Sequence, residues 1–376
     1  MKRLIFFGGT FDPPQSEHIA LAKACAEQFK PDKFIIMPTA IPPHKESLYP
    51  ADGNDRIAMC KLAFSEIENV EVSDYEILRG GKSYSYLTLK AIKEKYPDYE
   101  IIFPMGTDML LTFSEWKNPD EILKYAVLAV DTRSGEGTAD MAIEKFKKRF
   151  DGEVKIIDYV GSTLSSTEYK ITKMLGLSTA GMTDEKVEEY IDSHELYQSD
   201  KYFDFVKANL KHSRIVHTKG VILTSLKLAK QLKVDKKKTV LAALLHDSAK
   251  YLDYRDYGDF VLPEGVPESV IHQFLGGYVA REVLGIDDEE ILEAITYHTS
   301  GKAGMCDLAK IVYVADMIEP SRHYAEVEEL RTAVFEDFYR GFYLCLKRSV
   351  EFLKAENKTI YKETLNALQY YEKYGG

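Results

Sequence analysis

Around residues 193–205 the periodicity of the chain changes, and that change constrains the fold more than any other feature. Before it, short apolar runs alternate with segments whose apolar residues recur at helical spacing. The runs are RLIFF (3–7), KFIIMP (33–38), VEVSD (70–74), EIIFPM (100–105), AVLAV (126–130) and VKIID (154–158). Helical patterns between them include Glu17–Phe29, DRIAMCKLAFSEI (55–67) and SYLTLKAIKEKY (85–96). Strands alternating with helices predict an α/β doubly wound, mostly parallel sheet whose functional loops sit at its carboxyl edge. After the change every periodic segment is helical: 204–210, 215–232, 239–249, 268–284, 288–298, 306–318 and 324–355. That part predicts an all-α helical bundle. The chain of 376 residues is long enough for two cores, and the expected domains are 1–197 and 198–376.

In the helical part, Leu241–Lys250 reads LAALLHDSAK, an aliphatic run that delivers His246 and Asp247 to the buried face of a helix. Burying a carboxylate beside an imidazole costs several kcal/mol unless something compensates, and a metal ion takes both donors together. Taken alone, the pair reads better as an exposed helix end. Its surroundings favour a metal. His217, His246, His272 and His298 recur through the helical region, and Asp316 lies inside the apolar run LAKIVYVADMI (308–318). Adjacent helical residues diverge by about 100°, so His246 and Asp247 need not hold the same ion. Asp247 could bridge two, a geometry suited to hydrolysis of phosphate esters or anhydrides.

Charge and cysteine usage set the limits. The formal net charge of −11 argues against non-specific nucleic-acid binding. Four scattered cysteines without a CxxC pair suit a reducing cytoplasm and offer no zinc or disulfide framework. Only a few apolar residues precede Gly8 and Gly9, and no run approaches the roughly 20 needed to cross a membrane. A cytoplasmic protein with neither nucleic acid nor membrane as partner is expected. Whether it forms a homo-oligomer is open.

At the other end, RLIFF runs straight into GGTFDPP and then a helix. In that arrangement backbone N–H groups and a helix N-terminus hold phosphate. The fuller word GGTFDPPQSEH (8–18) resembles the nucleotidyltransferase signature GGTFDPPHxGH. PPHK (42–45), GKSYSYLTL (81–89), GTDML (106–110), Trp116, RSG (133–135) and LSSTEYK (164–170) resemble the nicotinate-nucleotide adenylyltransferases (NadD type). GLSTAGMTDEKVEEYIDSHELY (176–197) is similar to that family's C-terminal helix.

The resemblance implies a Rossmann-like fold and adenylyl transfer from ATP, with magnesium, to nicotinate mononucleotide. It further implies that Gly8, Gly9, Thr10 and Phe11 cradle the nucleotide, His18 donates to the phosphates and Lys45 adds charge. Ser165, Ser166 and Thr167 would bind phosphate at a helix N-terminus, Trp116 would stack on the nicotinate ring near Asp108, and Arg133 and Lys170 would contact substrate. The chain departs from the pattern at Gln15, where a His is expected, and at Glu17, which brings charge near the phosphates. It departs again at Lys170 for Arg and at Leu87 for Asp. Losing one donor to the transition state typically costs about 100- to 1,000-fold in rate. Two readings stay open: a slowed or retuned transferase, or a nucleotide-binding domain that has lost the reaction.

The order His217, His246–Asp247, His272, His298, Asp316 resembles the HD-domain phosphohydrolases. The words HTKGV (217–221), ALLHDSAK (243–250), HTSGK (298–302) and ADMIEPSR (315–322) resemble the symmetrical diadenosine-tetraphosphate hydrolases (YqeK type). This implies an iron-containing, dinuclear site, or one holding another first-row divalent metal, that cleaves diadenosine tetraphosphate to two ADP. Lys250, Thr299 and Arg322 become candidate phosphate contacts.

Overall fold

The protein is described by a computed structural model covering residues 2–42, 47–132, 139–161 and 164–375. It divides into two compact units, Met1–Lys170 with Ser178–Gln198, and Ile171–Leu177 with Ser199–Gly376.

In the first unit six parallel strands are β1 (Lys2–Gly9), β2 (Lys33–Pro38), β3 (Val70–Val72), β4 (Tyr99–Met105), β5 (Val127–Val130) and β6 (Val154–Ile156). Their order is β3-β2-β1-β4-β5-β6, the doubly wound sheet expected from the alternating pattern. The near-continuous apolar runs follow from burial on both faces. Ile5 and Phe7 enter one core with Phe34 and Ile36, against helices that supply Leu21, Met59 and Val187. Leu4 and Phe6 enter the other with Ile35 and Phe103, against Leu89, Leu110 and Phe146. Burying the four side chains Leu4–Phe7 is worth roughly 6–12 kcal/mol of transfer free energy, so β1 anchors the unit. The winding reverses between β1 and β4, and such a sheet opens a crevice at the carboxyl ends of the strands there.

The second unit is helical in its described residues. His212–Leu232 packs against Lys236–Leu245 and Asp307–Ile318, with Ile271–Tyr278 and Glu289–Thr296 alongside. Asp235 caps the second of these helices by accepting from the Lys238 backbone N–H. Two expectations need correction. The helix carrying the His-Asp pair stops at Leu245, and His246–Lys250 form the turn after it. The helix expected over 324–355 is two, Val327–Glu336 and Phe338–Ala355. Asp337 breaks it with extended backbone (φ −143°, ψ 102°) and caps the second piece through Tyr339 and Arg340 N–H.

Candidate active site and metal centre

The crevice at the β1/β4 switch point holds a cavity of about 400 Å³. Of the residues singled out from sequence, Gly8, Gly9, Thr10, Phe11 and His18 border it on one side. Asp108, Trp116 and Ser166 border it too. Gly9 has a steric reason: a Cβ there would come 2.8 Å from the Phe11 ring. The helix Ser16–Phe29 begins beside this turn. The Gln15 backbone N–H donates to His18 Nδ1 at 3.0 Å, so the proton of the neutral imidazole belongs on Nε2. Trp116 is half-buried, with its ring 5.5 Å from Phe113 and 6.2 Å from Phe103.

Other residues fall elsewhere. Lys45 and Arg133 lie outside the described residues. Gln15 and Lys170 do not border the cavity as described; they are 2% and 1% exposed. Lys170 corrects the expectation of a phosphate contact. Its ammonium pairs with Asp12 and donates to Leu48 O at 2.9 Å, over the Tyr197 ring at 4.9 Å. Glu17 corrects another, because its carboxylate accepts from the Tyr159 hydroxyl at 2.6 Å and does not border the cavity. Ser165 Oγ accepts from the Glu168 N–H at 3.1 Å, the geometry of a helix cap, and Thr167 is half-buried in the first turn. Leu87 is 38% exposed. Sequence reasoning missed Glu76 and Lys117, which border the cavity. No motif word contained Glu76, and Lys117 carried only its adjacency to Trp116.

In the helical unit His217, His246, Asp247, His272 and His298 converge and are almost fully buried. Two groups have ligand atoms within 4.8 Å of one another: His217, His246 and Asp247, and Asp247, His272 and His298. Asp247 belongs to both. Its Oδ1 lies 3.3 Å from His272 Nε2 and 3.5 Å from His298 Nε2, and its Oδ2 lies 3.8 Å from His246 Nε2. Asp316 Oδ1 lies 3.0 Å from His217 Nε2, on the side of the ring away from Glu319, and the carboxylate is paired with Arg322.

The donor chemistry fits divalent cations. His246 Nδ1 donates to Ala243 O at 2.7 Å and His298 Nδ1 to Ile295 O at 2.8 Å, so both Nε2 lone pairs face inward. His246 Nε2 is buried without a hydrogen-bond partner in the structure, a position that a cation satisfies. His217 Nδ1 lies 2.9 Å from Glu319 Oε1, the carboxylate–histidine arrangement that orients a metal ligand. A Cβ at Gly220 would come 2.3 Å from Glu319 Oε2, so this glycine admits the carboxylate.

Electrostatics agree. Burial pushes His246 and His272 down to about 4, which keeps both imidazoles in the neutral, ligating form. Burial would raise Asp247, but the imidazoles of His272, His298 and His246 packed around it outweigh burial and hold the carboxyl well below its usual range. For His217 burial is likewise outweighed, by Asp316 and Glu319, and the imidazole is raised.

Three cations ring the cluster. Lys250 Nζ is 3.0 Å from His272 Nε2 and 3.6 Å from Asp247 Oδ1, and burial lowers its ammonium. Arg322 lies on Asp316, and Arg214 Nη1 donates to Asp247 Oδ2 at 2.8 Å. Thr299 Oγ1 is 3.2 Å from His272 Nε2. Arg214, Glu319 and Gln273 were missed in the sequence. Arg214 had a signal, because three residues before His217 places it on the same helical face. Gln273 Oε1 accepts from the Thr299 and Ser300 N–H groups at 3.1 and 2.9 Å and so holds the turn that carries His298.

A parallel sheet with a glycine-turn cavity and a helical cluster of four His and one Asp define a nucleotidyltransferase joined to an HD-type domain. Comparisons agree: residues 6–172 match the cytidylyltransferase-like family and residues 214–321 the HD domain. A probable nicotinate-nucleotide adenylyltransferase/Ap4A hydrolase of Mycoplasma pneumoniae is 27% identical over 86% of this chain and 90% of that protein. A probable nicotinate-nucleotide adenylyltransferase of Clostridium tetani is 32% identical over 53% of this chain and its own full length. A symmetrical bis(5'-nucleosyl)-tetraphosphatase of Bacillus subtilis is 35% identical over 42% of this chain and 89% of that protein. The chain belongs to the nicotinate-nucleotide adenylyltransferase family in its first half and to the symmetrical bis(5'-nucleosyl)-tetraphosphatase family in its second. No helix among the described residues is long and apolar enough to cross a membrane.

Proposed function

We propose that the chain is a bifunctional cytoplasmic enzyme. Residues 1–197 transfer the adenylyl group of ATP to nicotinate mononucleotide, and residues 198–376 hydrolyse diadenosine tetraphosphate to two ADP. In the transfer, a phosphate oxygen of the mononucleotide attacks the α-phosphorus of ATP and magnesium pyrophosphate leaves. The chain contributes alignment and donors. Backbone at Gly8–Phe11 holds phosphate, His18 donates from Nε2, Ser166 stands at a helix N-terminus, and Trp116 stacks on the pyridine ring near Asp108.

In the hydrolysis, water adds across the central P–O–P linkage. His217, His246, Asp247, His272, His298 and Asp316 would hold two first-row divalent ions, iron being the expected one, with Asp247 shared by both groups of ligands. Such ions supply positive charge for phosphate oxygens and make water more acidic. Lys250, Arg214, Arg322 and Thr299 surround the cluster and bind the polyphosphate. The observation that carries the assignment is the membership of Asp247 in both ligand groups.

One observation favours a second reading, a hydrolase attached to a domain that binds nucleotide without transferring it. Gln15, at the position of a signature His, is buried outside the cavity lining. Incubating the intact chain with ATP and nicotinate mononucleotide, and separately with diadenosine tetraphosphate, separates the two when products are identified by mass. Dinucleotide and pyrophosphate select the bifunctional enzyme. Intact ATP binding without product selects the second reading, and absence of ADP from diadenosine tetraphosphate removes the hydrolase.

A further inference from the structure

Glu76 sits in the short helix Tyr75–Arg79 and is 3% exposed. Its Oε1 accepts from the Thr88 hydroxyl, while Oε2 is buried with no hydrogen-bond partner in the structure. Leaving a buried acceptor unsatisfied costs about 1–3 kcal/mol, and more for a charged group, so a carboxylate kept in this state points to a donor supplied from outside the chain. Glu76 borders the same cavity as Asp108 and Trp116. The neighbouring turn, Ser83–Ser85, also borders it and is held in place by the Ala40 N–H, which donates to Ser83 Oγ at 2.9 Å.

The chemistry of the missing donor is narrow. Phosphate oxygens and a pyridine carboxylate are acceptors and are repelled by Oε2. Hydroxyl groups donate. In nicotinate mononucleotide the ribose carries these hydroxyls, between a ring suited to Trp116 and a phosphate directed toward the glycine turn. We infer that Glu76 binds the acceptor nucleotide by accepting a hydrogen bond from a ribose hydroxyl. The inference rests on the adenylyl-transfer reading above. It makes Glu76 a specificity-determining residue that selects a ribosylated acceptor and disfavours any ligand placing an anion at that corner.

The test compares full-length wild type with Glu76→Met, which has no oxygen acceptor, using nicotinate mononucleotide and its 2'-deoxy and 3'-deoxy analogues. Binding is measured by calorimetry, and KM and kcat by pyrophosphate release. Removing a hydrogen bond to a charged group is expected to weaken binding and raise KM roughly 10- to 100-fold, with the loss falling on KM rather than kcat. One deoxy analogue should lose a similar factor on the wild type and nothing further on Glu76→Met. Unchanged affinity in the variant overturns the inference. So does a deoxy penalty that persists in full on the variant, which would leave Glu76 a merely structural partner of Thr88. If neither analogue loses affinity on the wild type, the ribose is not the donor, whether or not the variant folds. Should the wild type fail to bind nicotinate mononucleotide at all, the functional reading falls and the inference with it. Binding with an unaltered variant removes the inference alone.

Discussion

On the proposed reading, the two units hold phosphate in opposite ways. The sheet unit builds its cavity where the sheet winding reverses: the turn after β1, the starts of two helices and the ends of β1 and β4. The helical unit builds its centre from side chains that meet only after five separate segments have packed. Gln15, Glu17 and Lys170 lie off the cavity lining, so these departures from the signature leave its walls in place. A side-chain site has no such tolerance, because every ligand is both the structure and the chemistry.

That contrast can be tested. The largest effect is expected at Asp247. Asp247→Asn should abolish metal uptake at both positions and lower hydrolysis by more than the roughly 100-fold that loss of an outer partner costs. Adenylyl transfer by the same sample should be unaffected, and elemental analysis showing a full metal complement would break the comparison. Next is Lys170→Met. Stranding Asp12 without its buried cation should destabilise the sheet unit by roughly 3–5 kcal/mol in denaturant titration. A stable variant with impaired ATP binding would instead return Lys170 to the site. Glu319→Gln should weaken metal binding or hydrolysis by about 10- to 100-fold, through loss of the carboxylate that orients His217. Smallest of all, Glu17→Gly should leave the adenylyl-transfer rate within roughly threefold, since that carboxylate is hydrogen-bonded to Tyr159. A large gain in rate would mean that its charge reaches the phosphates after all.

The sheet was legible because strands buried on both faces write continuous apolar runs, and those runs matched the six strands found. The histidines and Asp247 were legible because polar groups inside apolar segments need a reason to be there. Arg214 and Glu319 were harder to see: each looks like an ordinary charged residue until tertiary packing brings helices Asp307–Ile318 and His212–Leu232 together. Lys170 was misread because a cation in a phosphate-binding word and a cation closing a buried ion pair are identical in one dimension. The break at Asp337 was hidden by helical periodicity on both sides of it, and only the cap formed by that aspartate reveals it. Glu76 lay outside every recognised word, and its significance depends on a cavity wall that sequence cannot draw.

Gly220 shows where that dependence leads. It offers no donor atom and touches no proposed ligand ion, yet the space it leaves is the space the Glu319 carboxylate occupies. A methyl group there would act as a wedge between two helices and tilt the imidazole of His217 without altering any ligand. The grip of this centre on its ions is therefore set partly by volume at a helix crossing, and a family member could retune it by swapping one small residue for another while every coordinating side chain stays the same.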